Sequence, residues 1–176
     1  NSVVGIVVGT VSATDVDAGQ TLRYTLPSSM ETFAVHATTG VITVAEATLN
    51  YEDRDEYTLE LTVTDNGSPA LSASVNVIVQ ITDVNEVPVA VFDDVVLSIA
   101  ENSVLGSAVG SPLSWSDPDT GQHVNFTIST VNYTLFTVDG ASGQVRTYAP
   151  LDFETEDEYS FVVRITDSGS PALSTT

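Results

Sequence analysis

The sequence predicts an all-β protein made of two tandem immunoglobulin-like Greek-key sandwiches, each with about seven strands. Three observations predict this fold. The motifs of the first half recur in the same order in the second half, and apolar and polar residues alternate with a period of two. Short clusters rich in glycine, serine, proline and threonine separate the alternating segments, and no segment carries the apolar stripe of an amphipathic helix.

The internal repetition defines two copies of one domain. The longest repeated motif is TDNGSPALS at residues 64–72, which returns as TDSGSPALS at residues 166–174. Three shorter motifs also return, namely NSVVG as NSVLG (1–5, 102–106), DVDAGQ as DPDTGQ (15–20, 117–122) and LNYE as LDFE (49–52, 151–154). Because the offset between copies changes only in the connections, where loops tolerate insertions, we predict one repeat at 1–87 and another at 88–176.

Strands are predicted where the alternation is clearest, at residues 57–64 and 74–82 of the first repeat and 159–166 of the second. These segments are rich in valine, isoleucine, threonine and tyrosine, which suit a pleated, half-buried surface. We expect the first repeat to lack its first residues, since the counterpart of Glu101 would precede residue 1. We expect the second repeat to be truncated before its last strand, so that the chain is a segment of a longer protein.

Charge and composition exclude several function classes. The chain has 24 acidic residues, four arginines and no lysine, which gives a formal net charge of -20. Binding to nucleic acid or to an anionic membrane surface requires basic groups, so we expect no nucleic-acid partner and no membrane contact within this segment. The absence of cysteine excludes disulfides, thiolate metal sites and cysteine nucleophiles.

Half of the acidic residues lie in the repeated motifs or at the junction between the repeats. These twelve are Asp15, Asp17, Glu52, Asp65, Asp83, Glu86, Glu101, Asp117, Asp119, Asp152, Glu154 and Asp167. Turns collect at the ends of a sandwich, so these carboxylates would meet where consecutive repeats join. Like charges about 4 Å apart repel by about 1 kcal/mol in water and by more in a protein, so such clustering favours a cation. Carboxylate oxygens favour Ca²⁺, and the spacing after Asp15 and Asp117 excludes an EF-hand loop.

Five motifs in a constant order resemble the repeats of the cadherin family, over nearly all of the chain. The IAEN segment at 99–102 is similar to the family's PEN start, and the three repeated motifs with aspartate or glutamate are similar to its DxD, LDxE and TDxGxP motifs. The DVNEVP segment at 83–88 resembles the inter-repeat linker DxNDNxP. The resemblance implies sandwiches of the cadherin type, with Ca²⁺ as the cofactor.

The resemblance also implies which residues bind calcium. At the seam between the two repeats the ligands would be Glu52, Glu86, Asp117, Asp119, Asp167 and the backbone carbonyls of Asn85 and Val87. Facing a preceding repeat they would be Asp15, Asp17 and Asp65, and facing a following repeat Glu101, Asp152 and Glu154. Up to three Ca²⁺ at each junction would hold consecutive repeats as a stiff rod.

Among the departures from the family pattern, three concern candidate ligands. Asn50 stands at the aspartate position of the LDxE motif and stays in the candidate ligand set. Glu86 replaces the linker aspartate, and Val87 stands where the second asparagine is expected. These departures keep two ions per junction as an alternative to three. The linker looks more like those of divergent cadherin-like repeats of bacteria, protists or invertebrates than those of vertebrate classical cadherins.

The sequence therefore favours a non-enzymatic extracellular or cell-surface protein, in which calcium stiffens the repeats for adhesion or for a stalk or filament. Its partners would be neighbouring repeats of the same longer chain, and a homophilic or heterophilic protein partner or a glycan partner stays open. One alternative is a carbohydrate-binding module with Trp115 as a stacking platform, and another is a passive spacer in a large secreted protein. Neither His36 nor His123 lies in a catalytic constellation. The N-x-S/T motifs at Asn66, Asn125 and Asn132 are candidate glycosylation sites.

Overall fold

A computed structural model shows that the chain forms two compact units, Asn1–Val84 and Asn85–Thr176. The structure describes residues 3–91, 95–130 and 134–176. Within these ranges all regular structure is antiparallel β-strand and no helix occurs, which confirms the predicted all-β class. The repeat boundary predicted between residues 87 and 88 stays a prediction. The first two residues of the NSVVG motif and the candidate glycosylation site at Asn132 lie outside the described residues.

The first unit is a sandwich of two three-stranded sheets. Its strands are β1 (Val7–Thr10), β2 (Arg23–Thr25), β3 (Phe33–Val35), β4 (Val41–Val44), β5 (Glu56–Thr64) and β6 (Ser72–Gln80). One sheet has the order β1-β4-β3 and the other has the order β2-β5-β6. The pairing of β5 with β6 is continuous from Glu56↔Gln80 to Thr64↔Ser72, so the two strands are paired along their whole length.

The core of the first unit lies between its two sheets. Tyr57, Leu59 and Leu61 of β5 are buried and the residues between them are exposed, as expected for a strand with one face in a core. Phe33 of the opposite sheet meets the Tyr57 ring edge-on, with ring centroids 5.2 Å apart. The buried apolar cluster consists of Tyr24, Phe33, Ile42, Val44, Leu49, Tyr57, Leu59, Leu61 and Val79.

The second unit repeats this plan, with shorter counterparts of β4, β5 and β6. They are β7 (Val89–Ala90), β8 (Trp115–Ser116), β9 (Val124–Ile128), β10 (Phe136–Val138), β11 (Val145–Thr147), β12 (Val163–Asp167) and β13 (Ser174–Thr175). The described pairings are β7-β8, β10-β11 and the three-stranded sheet β13-β12-β9. The core cluster is Val109, Leu113, Val124, Phe126, Phe136, Val145, Leu151 and Ile165. No helix long and apolar enough to cross a membrane occurs in the described part of the chain.

The observed strands differ from the predicted segments at their ends. β6 begins at Ser72, two residues before the predicted start, and these first residues have a counterpart in β13. The prediction of a strand at 159–162 is wrong, since β12 begins at Val163. β9 and β13 pair with β12 only between Val163 and Asp167, whereas β6 pairs with all of β5. The available hydrogen-bond partners, and not the alternation alone, set the length of each strand.

Candidate metal centre

The aspartates of the two TDxGxP motifs organise the loops that they begin. Asp167 ends β12, and its Oδ1 accepts hydrogen bonds from the backbone N–H groups of Gly169 (2.9 Å) and Leu173 (3.0 Å). Asp65 follows β5, and its Oδ1 accepts the equivalent bonds at 2.9 Å and 3.0 Å in the first unit. Because the carboxylate supplies acceptors to the N–H groups of the turn, this aspartate has a structural role in both units.

The hydrogen bonds of this loop keep Asp167 ionised. Burial acts to raise the pKa of its carboxyl group, but hydrogen bonds from Leu173, Gly169 and Asn85 outweigh that effect, and the pKa lies below its usual value. Asp167 is only 5% exposed. It is therefore a buried negative charge at neutral pH, held by neutral donors.

The DPDTGQ motif adds two carboxylates just before β9. Asp119 is 5% exposed and Asp117 is half-buried. The backbone N–H of Asp119 donates to Asp117 Oδ1 at 3.0 Å, which closes an Asx turn. Burial raises the pKa of Asp117; the hydrogen bond from Asp119 opposes this, but the negative charges of Asp119 and Asp167 add to the rise. The protein groups around Asp117 thus leave its negative charge incompletely compensated.

The first four residues of the second unit, 85–88, lie against this acidic end of the unit, and we call them the leading segment. The Asn85 side-chain amide donates to Asp167 Oδ2 (3.1 Å) and to the Pro171 carbonyl (3.0 Å). The backbone N–H of Glu86 donates to Asp119 Oδ2 at 2.9 Å. Glu86 and Asp119 also each offer a carboxylate oxygen within 4.8 Å of the other. The leading segment therefore brings a further acidic side chain to the carboxylates of the DPDTGQ motif.

Two buried oxygens at this place test whether a cation fits. Asp117 Oδ2 and Asp119 Oδ1 are buried and find no hydrogen-bond partner among the described residues. A buried carboxylate oxygen without a donor is costly, unless a positive charge compensates it. Hard oxygen donors of this kind are the ligands that Ca²⁺ takes. In donor chemistry, the carboxylates of Asp117 and Asp119, with Glu86 beside Asp119, are therefore of the kind that would hold a calcium ion.

A second acidic group of the same unit consists of Glu101, Asp152 and Glu154, which are all exposed. Each offers one carboxylate oxygen, and these oxygens lie within 4.8 Å of one another. Asp152 Oδ1 accepts from the backbone N–H of Glu154 (3.2 Å), and its Oδ2 accepts from the Thr155 hydroxyl (2.9 Å). The hydrogen bond from Thr155 is the largest cause that lowers the pKa of Asp152, so the Asp152 carboxyl group is anionic at neutral pH. The sequence had placed the same three residues on one ligand set.

Asn50 has the structural role in the first unit that Asp152 has in the second. Its Oδ1 accepts from the backbone N–H of Glu52 at 3.3 Å. Its amide then donates to Asp53 Oδ2 at 2.9 Å. Asp53 occupies the position of Thr155, so donor and acceptor have exchanged places and the turn keeps both hydrogen bonds. This exchange explains how the LDxE motif accommodates asparagine.

The other predicted ligands of the first unit are not gathered in the same way. Asp15 and Asp17 are exposed, and the Asp17 N–H closes the same Asx turn on Asp15 Oδ1 at 2.8 Å. Gln20 donates to Asp17 Oδ2 at 3.1 Å. Over the ranges that the structure describes, Asp15, Asp17 and Asp65 do not form a group of three with ligand atoms within 4.8 Å. In the second unit, Val87 of the leading segment is 45% exposed, and the atom predicted to bind calcium is its backbone carbonyl oxygen.

Three groups that lie close to predicted ligands in the structure were not in the predicted ligand set. Asp83 offers an oxygen within 4.8 Å of a Glu52 carboxylate oxygen, in the first unit. Gln122 donates to Asn85 Oδ1, and the carbonyl of Pro171 accepts from the same side chain. The recurrence of Gln20 as Gln122 was a signal for the second of these. A main-chain carbonyl leaves no such signal in the sequence.

The remaining side chains singled out by the sequence have ordinary surroundings. Trp115 is half-buried and packs against the core of the second unit, as a lone tryptophan in a sandwich is expected to do. Asn66 Oδ1 accepts from the Thr21 N–H at 2.9 Å. Asn125 is an exposed residue of β9. Because Trp115 packs against the core, only part of its ring is accessible to a ligand.

Comparison with known proteins gives a consistent result. The family model described as "Cadherin domain" matches residues 1–82 and 96–176. The chain is 35% identical over 181 residues to protein dachsous of Drosophila melanogaster and 33% identical over 162 residues to human protocadherin Fat 1, with 97% and 89% of this chain covered. It spans only 5% and 4% of the length of those two proteins.

Solved cadherin structures show the same architecture. Mouse cadherin-23 EC22-24 superposes with a TM-score of 0.78 at 30% identity, and covers 99% of this chain and 56% of that one. Drosophila N-cadherin EC1-4 gives a TM-score of 0.79 at 26% identity, over 99% of this chain and 44% of that one. The predicted sandwiches of the cadherin type are thereby confirmed. With two domain matches, the repeated motifs and the fold in agreement, the chain belongs to the cadherin family.

Proposed function

We propose that this chain is a non-enzymatic, extracellular part of a longer cell-surface protein, in which bound Ca²⁺ fixes the geometry of consecutive repeats. The repeats would serve adhesion or form a stalk or filament. The family of the chain supports this role, since its relatives include a protocadherin and a cadherin of known structure. The acidic, lysine-free composition and the absence of cysteine agree with a surface that uses metal, and not disulfides, for rigidity.

One observation carries the calcium part of the proposal. Asp117 Oδ2 and Asp119 Oδ1 are buried and lack a donor within the described chain, next to a third carboxylate, Asp167. A fold that served only stability would gain by replacing such oxygens with neutral groups, because unpaired buried carboxylates destabilise it. Their presence is explained if a cation completes the site.

The chemistry of the donors favours calcium over other metals. The candidate ligands are carboxylates and carbonyls, with no cysteine and no histidine in either group. Ca²⁺ takes six to eight such oxygens in a flexible geometry, and extracellular modules bind it with dissociation constants on the order of 10⁻⁴–10⁻³ M. The second group, Glu101, Asp152 and Glu154, offers the same donors on an exposed surface.

The coupling to inter-repeat geometry follows from the linker sequence. Asn85, Glu86 and Val87 belong to the linker motif, and Glu86 N–H is hydrogen-bonded to a candidate ligand, Asp119. Under the family pattern Glu52 of the first repeat would complete the sphere. Calcium would then bind the ordered linker better than a disordered one, so that stiffness would rise with calcium concentration by mass action. The proposal allows either two or three calcium ions at each junction.

Isothermal calorimetry of calcium binding, with small-angle scattering of the same samples in calcium and in chelator, tests the proposal. We expect two or three ions at the linker with millimolar or tighter affinity, and a longer, less variable particle when calcium is present. Asp119→Asn should remove this binding, whereas Asp17→Asn should leave it. Binding that is absent at millimolar calcium would contradict the proposal and would favour a passive spacer.

A further inference from the structure

We propose that Asn85 is a positioning residue, whose neutral side chain docks the leading segment on the second unit before any cation binds. The docking site, which we call the amide clamp, consists of Gln122, Asp167, Gly169 and the Pro171 carbonyl. The proposal deepens the calcium function above, because the clamp places Glu86 beside Asp119. Only the expected effect of the clamp on calcium binding rests on the proposed calcium function.

The hydrogen bonds of Asn85 use both ends of its amide. Its Nδ2 donates to Asp167 Oδ2 at 3.1 Å and to the Pro171 carbonyl at 3.0 Å, and its Oδ1 accepts from Gln122 Nε2. A side-chain amide has two donor hydrogens and one acceptor oxygen, so each group has a protein partner. None of these bonds requires a metal, and the clamp is therefore expected to persist in chelator.

The loop is shaped around this side chain. A methyl group at Gly169 would overlap Asn85 Oδ1 and Cγ. At the equivalent Gly67 of the first unit, a methyl group would have its nearest neighbours at 3.2 Å, the side chains of Asp65 and Gln20. The TDxGxP glycine of the second unit is thus required by close approach of Asn85, which is a feature of a built docking site and not of the turn alone.

The first unit supplies a natural control within the same chain. Gln20 stands at the position of Gln122 in the same motif, but its amide donates to Asp17 Oδ2 at 3.1 Å. In the first unit the same glutamine therefore takes an aspartate of its own motif as its partner. The contact of Gln122 with Asn85 belongs to docking of the leading segment and does not follow from the DxDxGQ motif itself.

The clamp has a direct consequence for the candidate metal site. With Asn85 held, the Glu86 N–H reaches Asp119 Oδ2 at 2.9 Å. That bond occupies one oxygen of Asp119 and leaves its Oδ1 as the buried oxygen without a donor. The second unit's share of the site is thereby set in advance, which lowers the entropy cost of ordering the ligands when a cation binds.

Hydrogen exchange of the Glu86 backbone amide, followed by NMR in chelator, tests the clamp without calcium. We expect this amide to be protected in the wild-type chain, since it is hydrogen-bonded to Asp119. Gln122→Met keeps the size and neutrality of the side chain and removes its donor. It should speed exchange of Glu86 by about threefold to tenfold, the effect of losing one net hydrogen bond. The matched variant Gln20→Met should leave Glu86 unchanged.

A double-mutant cycle separates the clamp from a general loss of stability. In an Asn85→Ala background, Gln122→Met should have no further effect on Glu86 exchange, because the bond between the two amides is already lost. Additive effects of the two substitutions would overturn the assignment. So would a Glu86 amide that exchanges in chelator as fast as in an unfolded peptide.

Calcium titration of the same variants distinguishes failure of the clamp from failure of the proposed function. We expect Gln122→Met to weaken calcium binding by about threefold to tenfold, through the lost preorganisation, without abolishing it. Wild-type calcium binding with an unprotected Glu86 amide in chelator would overturn the clamp and leave the calcium function in place. A protected amide without calcium binding would support the clamp and contradict the calcium function.

Discussion

The DVDAGQ loop of the first unit and the DPDTGQ loop of the second have the same motif but different surroundings. Asp17 is exposed and accepts a hydrogen bond from the side-chain amide of Gln20. Asp119 is 5% exposed and accepts a hydrogen bond from the backbone N–H of Glu86 in the leading segment. The Asx turn itself is the same in both, with distances of 2.8 Å and 3.0 Å. The motif thus specifies the turn, but the segment that packs on it determines whether its carboxylates become a buried charge site.

The largest difference is expected from removing the buried carboxylate. Asp119→Asn should eliminate the calcium-dependent stabilisation that this site gives to the second unit, which is about 2.7 kcal/mol at a calcium concentration about 100 times the dissociation constant. Urea unfolding followed by fluorescence of Trp115 measures it, since the only tryptophan lies in that unit. Asp17→Asn serves as the matched control and should leave the Trp115 transition unchanged. A full calcium increment in Asp119→Asn would refute the comparison.

A methyl group on the loop glycines should give the next largest difference. Gly169→Ala should destabilise the second unit by about 2 kcal/mol, because the new methyl group must displace Asn85. Gly67→Ala should cost less, since its neighbours are the mobile ends of side chains at 3.2 Å. The Trp115 transition in chelator reports the first variant, and far-UV circular dichroism reports the second. Equal costs at the two positions would show that the glycine serves only the turn. Asn85→Ala should recover part of the loss caused by Gly169→Ala.

A substitution in the first LDxE motif should have a smaller effect on stability and tests the comparison between Asn50 and Asp152. Asn50→Asp places a second carboxylate against Asp53 and should destabilise the first unit by about 0.5 kcal/mol, the scale of exposed charge pairs. Adding Asp53→Thr recreates the donor and acceptor order of Asp152 and Thr155, and should recover the loss. Thermal unfolding in chelator measures both. If the double variant is no more stable than Asn50→Asp, the exchange of donor and acceptor does not explain Asn50.

The pH dependence of the second unit should show the smallest effect, because Asp117 is only half-buried. An acid whose pKa is raised in the folded state binds its proton more tightly there than in the unfolded chain. In chelator Asp117 should therefore lower stability as the pH rises from 3.8 through its raised pKa. Asp167 has the opposite sign: its contribution is present above 3.8 and is lost as the pH falls through its lowered pKa. Urea unfolding of wild type and Asp117→Asn between about pH 3 and 8 checks both, and identical profiles above 3.8 would contradict the assignment to Asp117.

Much of the fold could be predicted from sequence because β-alternation and repetition are local signals. The segment at 57–64 corresponds to β5 to within one residue. Of the similar segment at 159–166, only residues 163–166 form a strand, because strand length depends on hydrogen-bond partners that lie far along the chain. The small strands β7 and β8 gave no alternation signal, since each has two residues.

The candidate site was predictable in its residue types more than in its arrangement. The repeated motifs identified Glu101, Asp152 and Glu154, which the structure brings within 4.8 Å. The burial of Asp119 was not predictable, because it depends on how the leading segment packs. The role of Gln122 could have been suspected from its recurrence, but its partner could not, since Gln20 in the same motif bonds an aspartate.

The close approach of Asn85 to Gly169 links two positions that are 84 residues apart in the sequence. In a collection of related repeats, these two positions should be inherited together. Repeats that keep the asparagine should keep glycine, whereas repeats with a smaller residue before the linker acid should admit alanine or serine in the loop. Such paired variation would identify the repeats that dock their linker through an asparagine side chain.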